Sequence, residues 1–528
     1  MARHSFARFA TPVTSSVLVM TWCWCTLAAD VTVHYPTWPL LIGNERGPVL
    51  QLHVRVPEGE SWGLESIELS LEGTESLDDI ARLELYRSEP DNPWSTAHRL
   101  AEGVVNSQEV RLACDQELSS GQHSFWLACR LAPSAKVGRL VQIRLQAVGT
   151  SQGRVRPVAG GRRGPQRVGV ALRQAGQDGV HTYRIPALAT TPRGTLLCVY
   201  DMRRRSPRDL QGDIDIGLSR STDAGQTWAA THVIMDMGTY GGLPEEQNGC
   251  SDPGLIVDHQ TGTVFCFAVW MHGKPGKHQW RDDGSEPGYE IGKTAQLLMV
   301  RSDDDGVTWS KPVNLTRQVK PYDWWLLVHS PQQGIQLADG TLVMPAQGRN
   351  ETGRKFSTLL VSRDHGATWQ VGTPADHDTS ECQAVELSDG SIMLNMRNDR
   401  EKFRSVAITR DLGKTWTEHP TSRRVLIEPT CNGSLLRVAL PGRTPPHVLL
   451  FANPHSQQAR THQSIQVSFD DGMTWPESHR MLLDEGRGFG YPSLTQVDAD
   501  RIGIVYEGSQ AHLVFERIRL SDLVSGSR

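Results

Sequence analysis

The chain reads as all-β: a six-bladed β-propeller preceded by a smaller β-sandwich domain. Three observations predict this. The first is a pattern, Ser/Thr-x-Asp-x-Gly-x-Thr-Trp, that occurs five times, at 221–228, 302–309, 362–369, 409–416 and 468–475. Its tryptophans are separated by 81, 60, 47 and 59 residues, close to the length of one four-stranded sheet, and such a period marks a propeller or a repeat array. The second is composition, since 49 Gly, 30 Pro and 15 Trp in 528 residues suit a turn-rich β protein. The third is that 31–149 lacks the pattern and carries short alternating segments instead.

In chain order, residues 1–29 read as an export signal. Arg3 and Arg8 precede a largely apolar run, and Leu27-Ala28-Ala29 offers a small-residue cleavage site. A retained single-pass anchor is the alternative. Later stretches fall short of the roughly 20 apolar residues that a membrane span requires. A secreted or periplasmic location follows, with no stable membrane insertion once the signal is removed.

Residues 30–150 form the expected sandwich. The segments 49–56, 67–71 and 141–148 alternate with period 2 and read as half-buried strands. Roughly seven such strands make a β-sandwich. Trp62, Trp94 and Trp126 read as core, with sugar stacking as the alternative. The Gly-, Arg- and Pro-rich stretch 151–167 reads as a linker. Outside the leader seven cysteines remain, an odd number, so at least one thiol is unpaired; Cys114 and Cys129 are placed to pair across a hairpin.

Residues 168–525 carry the propeller. Roughly 355 residues at four strands per blade fit six blades, five with the pattern and one without. The 81-residue gap has room for an insertion or a whole irregular blade. Within each copy the Asp bonds its own backbone, the Gly takes positive φ and the Trp pins the turn. These residues therefore fix turns, and the chemistry falls to others. A net charge of −5 argues against a general nucleic-acid binder.

Tyr183-Arg184-Ile185-Pro186 stands just before the first repeat. Arg-Ile-Pro followed by several of these Asp-boxes resembles the exo-α-sialidase (neuraminidase) family, in the bacterial form with an N-terminal sandwich. The resemblance implies three arginines that hold a sugar carboxylate through forked donors, at Arg184, Arg397 and Arg460. It implies a Tyr nucleophile at Tyr491, in Gly488-Phe-Gly-Tyr491-Pro, because a neutral phenol avoids the charge of the anomeric carboxylate. Its base is expected at Glu381, with Glu386 a rival. The general acid/base is expected at Asp209, with a raised pKa, and Asp201 competes for the role. Asp213 and Asp215 lie on an alternating strand and read as structural. Arg203 is expected on the substrate, with Arg204 and Arg205 as neighbouring options, and Asp252 on the 4-hydroxyl. Trp270, Met271 and the run Tyr322-Asp-Trp324-Trp325 are candidate walls for an N-acyl group, with core packing as the alternative.

The resemblance thus implies a retaining exo-α-sialidase, a glycoside hydrolase that needs no metal or organic cofactor. It would act as a monomer on sialylated glycoproteins, glycolipids or oligosaccharides. Transfer to a sugar acceptor, or intramolecular formation of an anhydro product, would use the same residues. A non-catalytic glycan-binding propeller would keep the arginines without needing Tyr491, Glu381 and Asp209 together.

Overall fold

The computed structural model describes residues 30–88, 98–160, 164–272, 277–443 and 445–526. The expected signal segment 1–29 and Trp94 lie outside the described residues. Strands dominate among the described residues, where the two α-helices, Thr316–Val319 and Leu520–Val524, are single turns.

The first part is a sandwich of a six-stranded and a four-stranded sheet. Period-2 patterning drives it: in Gly47–Val56, Leu52, Val54 and Val56 are buried while Arg55 is exposed. These side chains join Leu64, Ile67, Phe125 and Leu127 in one core. Trp62 and Trp126 are buried, as core residues, and Trp38 stacks on Trp126 with centroids 5.7 Å apart. Cys114 and Cys129 are not joined. They sit on Glu109–Leu118 and Gly121–Leu131, which belong to different sheets, so the hairpin expected to unite them instead crosses between layers. All seven cysteines among the described residues are free thiols.

The stretch read as a linker is only partly one. Gly153–Val155 pairs with Arg144–Thr150, and Val158–Gly160 pairs in parallel with Asp30–His34, so each sandwich sheet gains a strand. The connection also runs the other way. Leu40–Ile42, from near the beginning of the chain, adds in parallel to Gln166–Arg173, and Leu41 is buried in the core of the second part.

The second part comprises six four-stranded antiparallel units, consistent with six propeller blades. In chain order they begin with Thr182–Thr190, Asn248–Val257, Leu326–His329, Thr379–Glu386, Ser434–Ala439 and Gly490–Gln496. Each Asp-box lies between the third and fourth strands of its unit. In the first box, Ser221 Oγ and Thr227 Oγ1 donate to the Asp223 carboxylate at 2.8 and 2.6 Å, and Gly225 N donates to Ser221 Oγ at 2.9 Å. The sixth unit has no box for a topological reason. Its outer strand is Gln166–Arg173, which pairs with Leu513–Arg519 and closes the ring, so no turn joins its third and fourth strands. The 81-residue gap hides no extra unit. The first two boxes belong to consecutive units, and the added length goes into loops before and after the strand pair Asn248–Val257 and Val264–His272.

Candidate active site

The inner strands of several units begin with the same irregularity. Ile185, Asp252 and Tyr491 have φ of 52°, 55° and 46°, and each precedes a proline. At each the pairing slips, between Arg184 and Ala187, Ser251 and Gly254, and Gly490 and Ser493. Proline cannot donate to the ladder, and a bulge re-aims the neighbouring side chain. A positive φ in a β-branched residue such as Ile185 is strained, and such strain concentrates at functional sites. Arg-Ile-Pro, Ser-Asp-Pro and Gly-Tyr-Pro are therefore one local device used three times around one end of the axis.

Tyr491 lies at the centre of the group. Its Oη donates to Glu381 Oε1 at 2.5 Å, and Arg397 Nη1 reaches Glu381 Oε2 at 2.6 Å and Tyr491 Oη at 3.1 Å. The Arg184 and Arg460 guanidinium carbons stand 5.3 and 5.4 Å from the Tyr491 ring centroid. The structure thus gathers the three predicted arginines about the predicted tyrosine and its predicted base. Burial pushes the phenol pKa well up, with the Glu381 charge adding to this and Arg397 and Arg460 opposing it. The resting tyrosine is neutral and carries its proton against a carboxylate. Buried Arg397 Nε has no hydrogen-bond partner among the described residues. Glu386, the rival base, lies toward the opposite end of its strand, where it accepts from Ala338 N at 3.1 Å and neighbours Arg437.

Glu507 completes the arginine cluster without standing in any motif. Its Oε1 accepts from both Arg184 Nε and Ile185 N at 2.6 Å, fixing the arginine and the strained backbone together. Only the motif-free end of Arg501–Glu507 announces it.

Across the site, Arg203 bridges two carboxylates, Asp201 at 2.9 Å and Asp209 at 2.5 Å. Asp201 is fully buried and also accepts from Ser251 Oγ and Asp252 N, each at 2.8 Å. Burial raises its pKa to about 6 despite Arg203. Asp252 is raised well above the usual range, by burial first and then by Asp209 and Asp201. Asp209 departs from the raised value expected of it. Burial works in that direction, but the Arg203 and Arg184 charges outweigh it and hold the carboxyl low. Its side chain is nevertheless 58% exposed, whereas Asp201 is 0% exposed. Asp209 is therefore the carboxylate a ligand can reach. The three acids approach within 4.8 Å of one another, the spacing of a cation site, but Arg203 already supplies the positive charge between two of them.

The remaining candidates fall outside this group. Trp270 and Met271 are fully buried. Trp270 packs edge-on to Tyr240 in the core of the first two units, and Met271 packs with Leu210, Leu326 and Val328. Their strand, Val264–His272, is covered on both faces, so neither is a pocket wall. Trp324 packs on Phe356, Trp325 lies beneath Arg349, and Tyr322 is exposed. Arg204 and Arg205 are held by Asp215 and Asp213, which keeps those two acids structural.

Residues 194–505 match the family of BNR repeat-like domains, and residues 28–154 match the N-terminal domain of BNR-repeat neuraminidases. A sialidase of Bacteroides fragilis is 39% identical over 474 residues, which is 87% of each chain. A sialidase of Micromonospora viridifaciens is 35% identical over 347 residues, 63% of this chain and 50% of that protein. Among solved structures, a Hadza microbial sialidase superposes with a TM-score of 0.87 at 35% identity, covering 93% of this chain and all of that one.

Proposed function

The chain belongs to the BNR-repeat neuraminidase family and is a glycoside hydrolase of the sialidase class, and from this premise we propose that it is a retaining exo-α-sialidase with Tyr491 as nucleophile. The observation that carries the reading is the 2.5 Å contact between Tyr491 Oη and Glu381 Oε1 within a ring of three arginines. A phenol becomes a nucleophile only when a base accepts its proton as the new bond forms. Glu381 is at that distance, and Arg397 offsets the charge that develops on the phenolic oxygen.

In the proposed cycle Arg184, Arg397 and Arg460 hold the substrate carboxylate through forked donors. Tyr491 attacks the anomeric carbon while Glu381 takes its proton, and Asp209 protonates the departing glycosidic oxygen. The covalent tyrosyl glycoside then reacts with water, from which Asp209 takes a proton, while Glu381 returns its proton to the departing phenolic oxygen and so restores Tyr491. Two inversions give net retention. A bound carboxylate on Arg184 weakens the cationic field at Asp209 and adds a like charge, so its pKa rises in the complex, as an acid catalyst requires. Terminal sialic acids of glycoproteins, glycolipids or oligosaccharides are the proposed substrates. Export through the apolar leader fits such substrates, and among the described residues no helix is long and apolar enough to cross a membrane.

Replacing Tyr491 by Phe tests the mechanism. With a fluorogenic α-sialoside, kcat should fall by at least about a hundredfold while binding of free sialic acid persists. Turnover near the wild-type rate would discard Tyr491 as the nucleophile.

A further inference from the structure

We propose that Phe489 is a specificity residue, the apolar surface against which the departing neutral hexopyranose of the substrate packs. The inference rests on the sialidase reading above. Phe489 is 52% exposed, and it belongs to the loop that leads directly into Tyr491. Its ring lies on the Arg184 guanidinium, 4.5 Å from the central carbon. A guanidinium over an aromatic face is attracted by the ring's negative π-surface. One side of the ring thus belongs to the clamp, while the remaining surface is open to solvent.

The backbone that carries Phe489 is held in place. Arg460 Nη1 donates to the Phe489 carbonyl at 3.1 Å, the Cys431 thiol approaches the same oxygen at 3.5 Å, and Gly488 N donates to the Arg460 carbonyl at 3.1 Å. Both flanking glycines are required. A Cβ at Gly488 would meet Glu507 O at 2.3 Å, and Gly490 has φ +84° with Pro454 only 2.7 Å from such an atom. A half-exposed aromatic on a fixed backbone beside a carboxylate clamp offers apolar area that the apolar face of a ligand can cover.

Arg184 pairs across the strand ladder with Asp201, and Arg203 bridges Asp201 to Asp209, the residue that carries the proton for the leaving oxygen in the proposed cycle. The departing group therefore sits on the rim that Phe489 shares with Arg184. A neutral hexopyranose suits that rim: its C–H face covers an aromatic ring, and it needs no charged partner.

The test compares kcat/KM on sialyllactose, which has a sugar leaving group, with kcat/KM on methyl α-sialoside, which has none. Phe489→Ala and Phe489→Leu should each lower the sialyllactose-to-methyl ratio by about three- to tenfold, the usual worth of one aromatic contact. Phe489→Tyr should restore it. Two replacements of different bulk guard against a loss that merely reflects folding, checked by thermal unfolding. An equal loss on both substrates would make Phe489 only a cover for Arg184, and an unchanged ratio would likewise overturn the proposal. In either case wild-type cleavage of both substrates would leave the sialidase reading intact. A folded wild type that cleaves neither would remove that reading and this one together.

Discussion

Glu507 holds Arg184 Nε and Ile185 N with a single carboxylate oxygen, although neither chemistry nor spacing marks it in the sequence. Replacing it by Gln should raise KM for a sialoside by about tenfold with a smaller change in kcat, since a charge-assisted bond contributes about 1.5–3 kcal/mol. A fall in kcat alone would mean that it does not act through the carboxylate clamp. Arg184, Arg397, Arg460, Tyr491 and Glu381 could be named only through the family resemblance, which sets the order of the segments that carry them, and the structure brings them together. Glu507 could not be named, because it closes an ordinary strand and its partner lies at the far end of the propeller region. Trp270 and Met271 misled for the opposite reason. Their residue types suit a pocket, but a strand covered on both faces gives no alternation by which to place them.

At the scale of the element, the residue after the box Asp does more than complete a turn. It has positive φ in all five copies: Ala224, Asp305, His365, Leu412 and Asp471. In three it reaches the preceding unit. Asp305 accepts from Thr191 and Thr195 in the first unit at 2.5 and 2.6 Å and also holds Arg220. His365 meets Asp258 of the second unit at 2.8 Å, and Asp471 accepts from Ser388 N of the fourth at 3.2 Å. Asp and His tolerate the left-handed region better than bulkier types, so one position supplies both turn geometry and a fastener. Asp305→Ala should cost about 2 kcal/mol, read as a drop of a few degrees in Tm. An unchanged Tm would show that the fastener contributes nothing. The five turns were legible from their motif. The fasteners were not, because they join residues more than 80 apart in sequence.

For the whole molecule, the two-part, all-β organisation followed from the position of the repeats, but the seam between the parts did not. Leu40–Ile42 crosses into the propeller region, and a cleft of about 250 Å³ at the seam is lined by Trp38, Arg167 and Glu516. Glu516 is buried, accepts from Tyr506 Oη at 2.8 Å and has its carboxyl pushed up from 4.5 to about 7 by burial, with Arg167 opposing. A raised carboxyl favours the protonated fold, so its contribution is fully present below about 4.5 and is lost as pH climbs toward 7. Glu516→Gln, which stays neutral, should therefore gain on wild type across that window, by up to about 3 kcal/mol at about 1.4 kcal/mol per pKa unit. Parallel Tm–pH curves for the two proteins would refute this. The closing strand has a further consequence. Val170 pairs with Phe515, and Arg184 is tied to Glu507, so these groups wait for partners more than 300 residues further along the chain. Such distant pairings form late and slowly. A ribosome-bound chain short of Leu513–Arg519 cannot close its ring, so the assembled site must await that strand.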